Sequence, residues 1–380
     1  MIINSQFDSG NINVISAESP GDIKLFIKKD HQSDFYQWFH FKLHSEAFVA
    51  HSITIVDLAK SAYPEGWKGY HAVASYDRET WFRVDSVFDG DNLSIEFTPE
   101  QNSVYFAYFA PYSYERHLNF IAQAQQCFDC RHELLGLTLD GREINLLVIG
   151  SEDIELAAKN KIWITARQHP GETMAEWLVE GLVQRLLDED DGLARKLLQH
   201  NVFYIVPNMN PDGSVRGHLR TNAAGINLNR EWQNPSLNNS PEVLYVLNKM
   251  QETGVDMFFD IHGDEALPYN FVAGGEGNPN YSEQIKELED LFKETLLTVT
   301  PEFQDVFGYD KDKPGEANLT VASNAVGFRY ECLAYTLEMP FKDNANLPDA
   351  SYGWSVPRCK QLGEDLLIAI NAVSDKLKTK

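Results

Sequence analysis

A chain of 380 residues with 43% hydrophobic and 23% charged residues has the composition of a soluble globular protein, and its length makes two domains the default. The formal net charge is −24, from 32 basic and 56 acidic residues. This balance argues against nucleic-acid and anionic-membrane partners, whose phosphates select basic patches, and acids spread along the whole chain read as a solubilising charge.

The N-terminus, MIINSQFDSG, has neither the basic start nor the apolar run of a secretory signal. No segment approaches the roughly 18 to 20 apolar residues of a membrane helix. The expected location is the cytoplasm. From residue 1 to about 110, short runs rich in aromatic and β-branched residues follow one another: NINVISA, IKLFIKK, YQWFHFKLH, FVAHSITIVDL, WFRVDSVF, LSIEFTP and VYFAYFA. Gly, Pro, Asp and Asn separate them, which predicts an antiparallel β-sandwich or barrel. The segment 110–127 then reads as a turn into a helix, and so as a connection; the expected division is a β-domain over 1–115 and a second domain over 116–380. Cys127 and Cys130 form a CxxC without the second pair that a structural zinc site needs. With Cys332 and Cys359 they read as ordinary reduced, partly buried thiols.

Beyond residue 128 the rhythm changes. The runs INLLVIG, KIWITAR, VFYIVPNMN, VDMFFDIHG and CLAYTLEMP alternate with helical patterns at 175–189, 240–252, 281–297 and 357–377. The fold class is therefore α/β, a mostly parallel sheet flanked by helices and preceded by the antiparallel region. Ligands bind at the carboxyl ends of such strands. The strand ends carry His169 and Glu172, the turn Asn210-Pro211-Asp212-Gly213, then His262, then Glu338. Two imidazoles and one carboxylate can bind zinc with one position open. Glu338, in an apolar strand end, is the natural non-ligand carboxylate to deprotonate the water. The spacing HxxE occurs twice, at His169–Glu172 and at His262–Glu265, so spacing alone does not choose the ligands.

HPGE, NPDG with a downstream arginine, GINLNREW, DIHG and TLEMPF occur in the order and context of the M14 zinc carboxypeptidases. The chain resembles that family from about residue 130 to 375. The HPGE variant, the TLDGR turn at 138–142 and an N-terminal β-region ending in FAPYSYERH resemble its cytosolic carboxypeptidase branch. The resemblance implies one zinc per chain, held by His169, Glu172 and His262, with Glu338 as general base and acid. It implies that Arg220 stabilises the oxyanion and that Asn229 and Arg230 grip the terminal carboxylate of the substrate. A planar guanidinium does this with two parallel hydrogen bonds. The expected activity is removal of C-terminal residues from peptides or protein tails, with a related zinc amidohydrolase acting on an acylated amino acid or cell-wall peptide as the alternative. A binding module without activity is the least supported reading, because all the expected catalytic groups are present. The substrate-capping tyrosine of many relatives has two candidates, Tyr309 and Tyr269. Relatives that trim glutamate are expected to carry a basic residue in the side-chain pocket. The matching stretch 317–328, ANLTVASNAVGF, has none, and Lys311, Lys313 and Arg329 are the nearby candidates.

Overall fold

The computed structural model describes residues 1–150 and 159–377. The first 107 residues form two five-stranded sheets. One runs in the order Ile2–Asn4, His40–His44, Ser103–Ala107, Val73–Ser75, Phe82–Arg83, with every pairing antiparallel. The other runs Asn13–Ser19, Asp22–Phe26, His51–Ile55, Leu93–Phe97, Ser86–Phe88, with one parallel pair, Asp22–Phe26 beside His51–Ile55. Alternation does the sorting: in His51–Ile55, residues 51, 53 and 55 are buried while 52 and 54 are half-buried. Ile23, Leu25, Ile53 and Ile55 of one sheet and Phe41, Leu43 and Phe106 of the other bury their side chains in one core. The run WFRVDSVF, expected as one strand, supplies two, and they belong to different sheets. All four cysteines are free thiols.

The helix Tyr114–Ala124, capped by the Ser113 hydroxyl accepting from the Arg116 N–H, leads to a seven-stranded sheet. Its order is Cys130–Leu137, Glu143–Ile149, Asn201–Val206, Asn160–Ala166, Met257–Asp264, Leu333–Pro340, Phe271–Ala273. The four strands from Asn201–Val206 to Leu333–Pro340 are parallel, and the outer three join through antiparallel pairings. Side chains alternate between two apolar layers. Ile162, Ile164, Phe259 and Ile261 face helices Thr173–Leu186, Glu283–Val299 and Val356–Ser374. Trp163, Phe258 and Val202 face helices Pro241–Thr253 and Ala322–Tyr330. No described helix is long and apolar enough to cross a membrane.

Three helices depart from the expected pattern. Asn210-Pro211-Asp212-Gly213, read as a turn, starts the short helix Pro211–Arg216: the Asn210 carboxamide caps the Gly213 N–H, and Pro211 takes the first position, where no N–H is needed. Residues 322–328 of the stretch 317–328, where no helix was expected, belong to helix Ala322–Tyr330, whose small and polar residues give little amphipathic signal. The third is Gly192–His200, which Asp191 caps by accepting from the N–H groups of Leu193 and Ala194.

One buried carboxyl sets a stability limit. Glu242, in the first turn of Pro241–Thr253, is 0% exposed; its carboxyl meets its own backbone N–H and Asn222 Nδ2, the latter 3.4 Å from each of its oxygens. Burial pushes its pKa up from 4.5 to about 8. The unfolded chain loses this proton near 4.5 while the folded chain keeps it to about 8, so the stability tied to it is full below 4.5 and falls as pH rises through that window. Glu242→Gln, which copies the neutral acid, should gain on the wild type in melting temperature as pH rises from about 4.5 to 8. Melting curves that stay parallel across that range would contradict the assignment.

Candidate active site

The site begins where strand Asn160–Ala166 ends. Arg167 follows with a positive φ of 58°, costly for a residue with a Cβ. Its fully buried side chain is over-determined: the guanidinium donates to Glu176 Oε2 at 2.6 Å, the Tyr112 carbonyl at 2.9 Å and the Pro170 carbonyl at 3.0 Å. This turn swings His169 and Glu172 to the carboxyl edge of the sheet. Gly171 lies so close to the next loop that a Cβ would come within 3.0 Å of the Leu219 carbonyl, which its own N–H already meets at 2.9 Å. The helix begins at Thr173.

His262 arrives on the parallel neighbour Met257–Asp264. The Nδ1 atoms of His169 and His262 lie 2.7 Å from the two oxygens of Glu172, one each, and 3.2 Å from one another. The other ring nitrogens are held from behind. Nε2 of His169 donates to Asn227 Oδ1 at 3.0 Å and Nε2 of His262 to Asp260 Oδ2 at 2.7 Å. Asp260 is fixed in turn by Thr165 Oγ1 and Gln168 Nε2. One ligand atom from each of His169, Glu172 and His262 falls within 4.8 Å of the others, the one such group among the described residues. Two imidazoles with their far nitrogens committed to oxygens, and a carboxylate between them, fit a zinc ion with an open position. Asp260 escaped the sequence reading, although its place two residues before His262 on a strand puts both on one face.

Electrostatics agree with a cation-binding pocket. Burial, then Arg220, pushes His169 down to about 4. Burial would raise Glu172, but the two imidazoles outweigh it and hold the carboxyl below its usual range. Burial would lower His262, and Asp260 with Glu172 pushes it up instead.

These groups open into a cavity of about 560 Å³ whose wall also carries Arg220, Asn229, Arg230 and Glu338. His169, Glu172, His262, Arg220, Asn229, Arg230 and Glu338 thus border one space. Glu338 sits directly across the parallel ladder from His262. Its Oε1 accepts from the Tyr309 hydroxyl at 3.0 Å, and its buried Oε2 has no hydrogen-bond partner among the described residues. Burial pushes its pKa up, and Glu172 and Asp264 add to the effect. Asn229 Oδ1 accepts from the Ala322 N–H at 2.8 Å, and Arg230 Nη1 donates to the Asn229 carbonyl at 2.6 Å.

Of the two candidate tyrosines, Tyr309 lines the cavity. Tyr269 stacks on Phe307 with ring centres 4.6 Å apart and is not among the lining residues. Lys311 lines it but is paired with Glu276 at 2.5 Å, and Lys313 and Arg329 are not part of the wall. A further wall lysine, Lys293, lies within helix Glu283–Val299, where the sequence reading did not look, and pairs with Glu289 at 3.0 Å and Asp305 at 3.5 Å. Tyr63, from the sandwich, and Glu265, of the second HxxE, complete the part of the rim beside Arg220.

Comparison with known proteins agrees with this geometry. Residues 119–364 match the zinc carboxypeptidase family, and residues 3–109 match the cytosolic carboxypeptidase N-terminal domain. Cytosolic carboxypeptidase 6 of Caenorhabditis elegans is 28% identical over 369 residues, covering 90% of this chain and 79% of the relative. The structure of a metallo-carboxypeptidase from Burkholderia cenocepacia is 49% identical with a TM-score of 0.96, covering 99% of both chains. That of a metallo-carboxypeptidase from Pseudomonas aeruginosa, in complex with (2-guanidinoethylmercapto)succinic acid, is 47% identical with a TM-score of 0.96 over 100% of both chains. The chain belongs to the M14 zinc carboxypeptidases and is a metallocarboxypeptidase of that family.

Proposed function

We propose that the protein hydrolyses the last peptide bond of peptides or protein tails, with one zinc per chain held by His169, Glu172 and His262. The observation that carries this reading is the convergence of two Nδ1 atoms and a carboxylate beside a second carboxylate, Glu338, whose Oε2 has no hydrogen-bond partner among the described residues. Zinc in that site supplies a Lewis acid that activates water and polarises the scissile carbonyl. The chain supplies the rest. Glu338 takes the proton of the attacking water and delivers it to the leaving amine. Its place outside the three-residue ligand group supports a role as base rather than ligand. Arg220 sets a fixed positive charge beside the oxygen where negative charge develops. Asn229 and Arg230 bind the free C-terminal carboxylate, which is what restricts cleavage to the end of a chain. The diacid bound by the Pseudomonas aeruginosa relative is in keeping with a carboxylate-binding cavity.

Three measurements test these roles. His262→Ala should lose most of its zinc by elemental analysis of the purified protein, and full occupancy would rule out the ligand set. Arg230→Ala should lower kcat/KM on free-acid peptides by about ten- to a hundredfold, from the roughly 1.5 to 3 kcal/mol of one charged hydrogen bond. An unchanged rate would remove that residue from substrate recognition. Glu338→Gln keeps the shape but cannot accept the proton. It should retain zinc and peptide binding while kcat falls at least about a hundredfold. Loss of zinc together with activity would make Glu338 a ligand, and full activity would place the base elsewhere.

A further inference from the structure

The loop that carries Arg220 is held by the sandwich, from the other end of the chain. Asp30, 3% exposed, lies in the turn after strand Asp22–Phe26. Its Oδ1 accepts from the Leu219 N–H at 2.7 Å. Its Oδ2 accepts from the N–H groups of Arg220 at 2.8 Å and Thr221 at 2.9 Å, and from the Thr221 hydroxyl at 3.0 Å. Four donors from three consecutive residues therefore end on one carboxylate. Hydrogen bonds to an ionised acceptor are the strong kind, and this set fixes the backbone under the Arg220 side chain.

The guanidinium itself lies over two rings of the sandwich, 5.4 Å from the centre of Tyr63 and 5.7 Å from that of Phe35. It donates no hydrogen bond to a described residue, so its N–H groups are free for a substrate. The same loop is sealed elsewhere: Asn11 Nδ2 donates to the Gly217 carbonyl at 2.8 Å, and the His31 N–H to His218 Nε2 at 3.0 Å. Gly217 and Gly225, both at positive φ, sit where a Cβ would come within 2.7 Å of the Ser9 carbonyl and 2.6 Å of the Gln32 carbonyl.

We propose that Asp30 is a positioning residue for Arg220: the turn 30–35 of the sandwich, through the Asp30 carboxylate and the Phe35 ring, aims the guanidinium at the reacting carbonyl. This rests on the reading of Arg220 as the oxyanion-stabilising group. The sandwich is then a working part of the active site. A misplacement of a catalytic group by about 1 Å is enough to lower a rate about a hundredfold.

The experiment is a double-mutant cycle on the full-length zinc enzyme with a free-acid peptide. Asp30→Asn keeps the size of the side chain but replaces one acceptor oxygen by a donor. It should lower kcat by about ten- to a hundredfold, leave KM within about twofold, and leave zinc content unchanged. Arg220→Ala should cost at least as much, and Asp30→Asn added to Arg220→Ala should cost nothing more, because both act on one group. Equal losses from Asp30→Asn in both backgrounds would show a general structural role and overturn the inference, as would an unchanged kcat. A fully active Arg220→Ala would instead overturn the oxyanion assignment, and the inference with it. If Asp30→Asn does not fold, Phe35→Leu makes the same test: a loss of kcat confined to the Arg220 background supports the inference, and an equal loss in both backgrounds, or none, overturns it.

Discussion

Buried negative charge governs this cavity. Glu172, Asp260, Glu265 and Glu338 are each at most 6% exposed, and they share one corner of the molecule. An unpaired carboxylate away from water is costly, so such a group must be neutralised by protonation or met by positive charge. The site uses both answers. Glu172 stays ionised between two imidazoles, while Glu265 and Glu338 are pushed up by burial. A divalent cation among these groups would offset the mutual repulsion that the fold has assembled. The same repulsion, from Glu172 and Asp264, adds to burial in raising the proton affinity of Glu338. Positive charge reaches the same cavity: Arg220 and Arg230 line it, and Arg220 lies close enough to Glu172, Glu265 and Glu338 for their charges to hold its guanidinium protonated.

The geometry behind this is the register of three parallel strands. Residues 162–166 pair with 257–261, and 257–264 with 333–340. The register that sets Ile261 beside Ala166 and Leu337 also sets His262 beside Glu338, just past the end of the first strand. A slip by one residue would turn either side chain into the opposite apolar layer. Core packing and site geometry are therefore one constraint.

Much of this was legible in the sequence. Long apolar runs announced the central strands, and polar residues at their ends stood out against that background. The edge strands Cys130–Leu137 and Phe271–Ala273 did not, being half-exposed in one case and three residues long in the other. Helix Ala322–Tyr330 was hidden by its small residues, and Lys293 by its place in an ordinary amphipathic pattern. The deepest gap concerns support. Asp30 meets Leu219 across 189 positions, and no local pattern marks either residue as the partner of the other. Asn227 and Asp260 are similar: a residue that orients an imidazole is written in the chain like any other polar residue.

The clamp between turn 30–35 and the Arg220 loop also bears on how the chain reaches its working form. Contacts this distant in sequence must close a long loop before they are rewarded, which local contacts need not do. One continuous apolar core joins the two halves, and the Arg220 loop has its Asp30 acceptor only once they are docked. A chain in which turn 30–35 has not docked would still bring His169, Glu172 and His262 together at the strand ends, while the Arg220 loop lacks the acceptor that fixes its backbone.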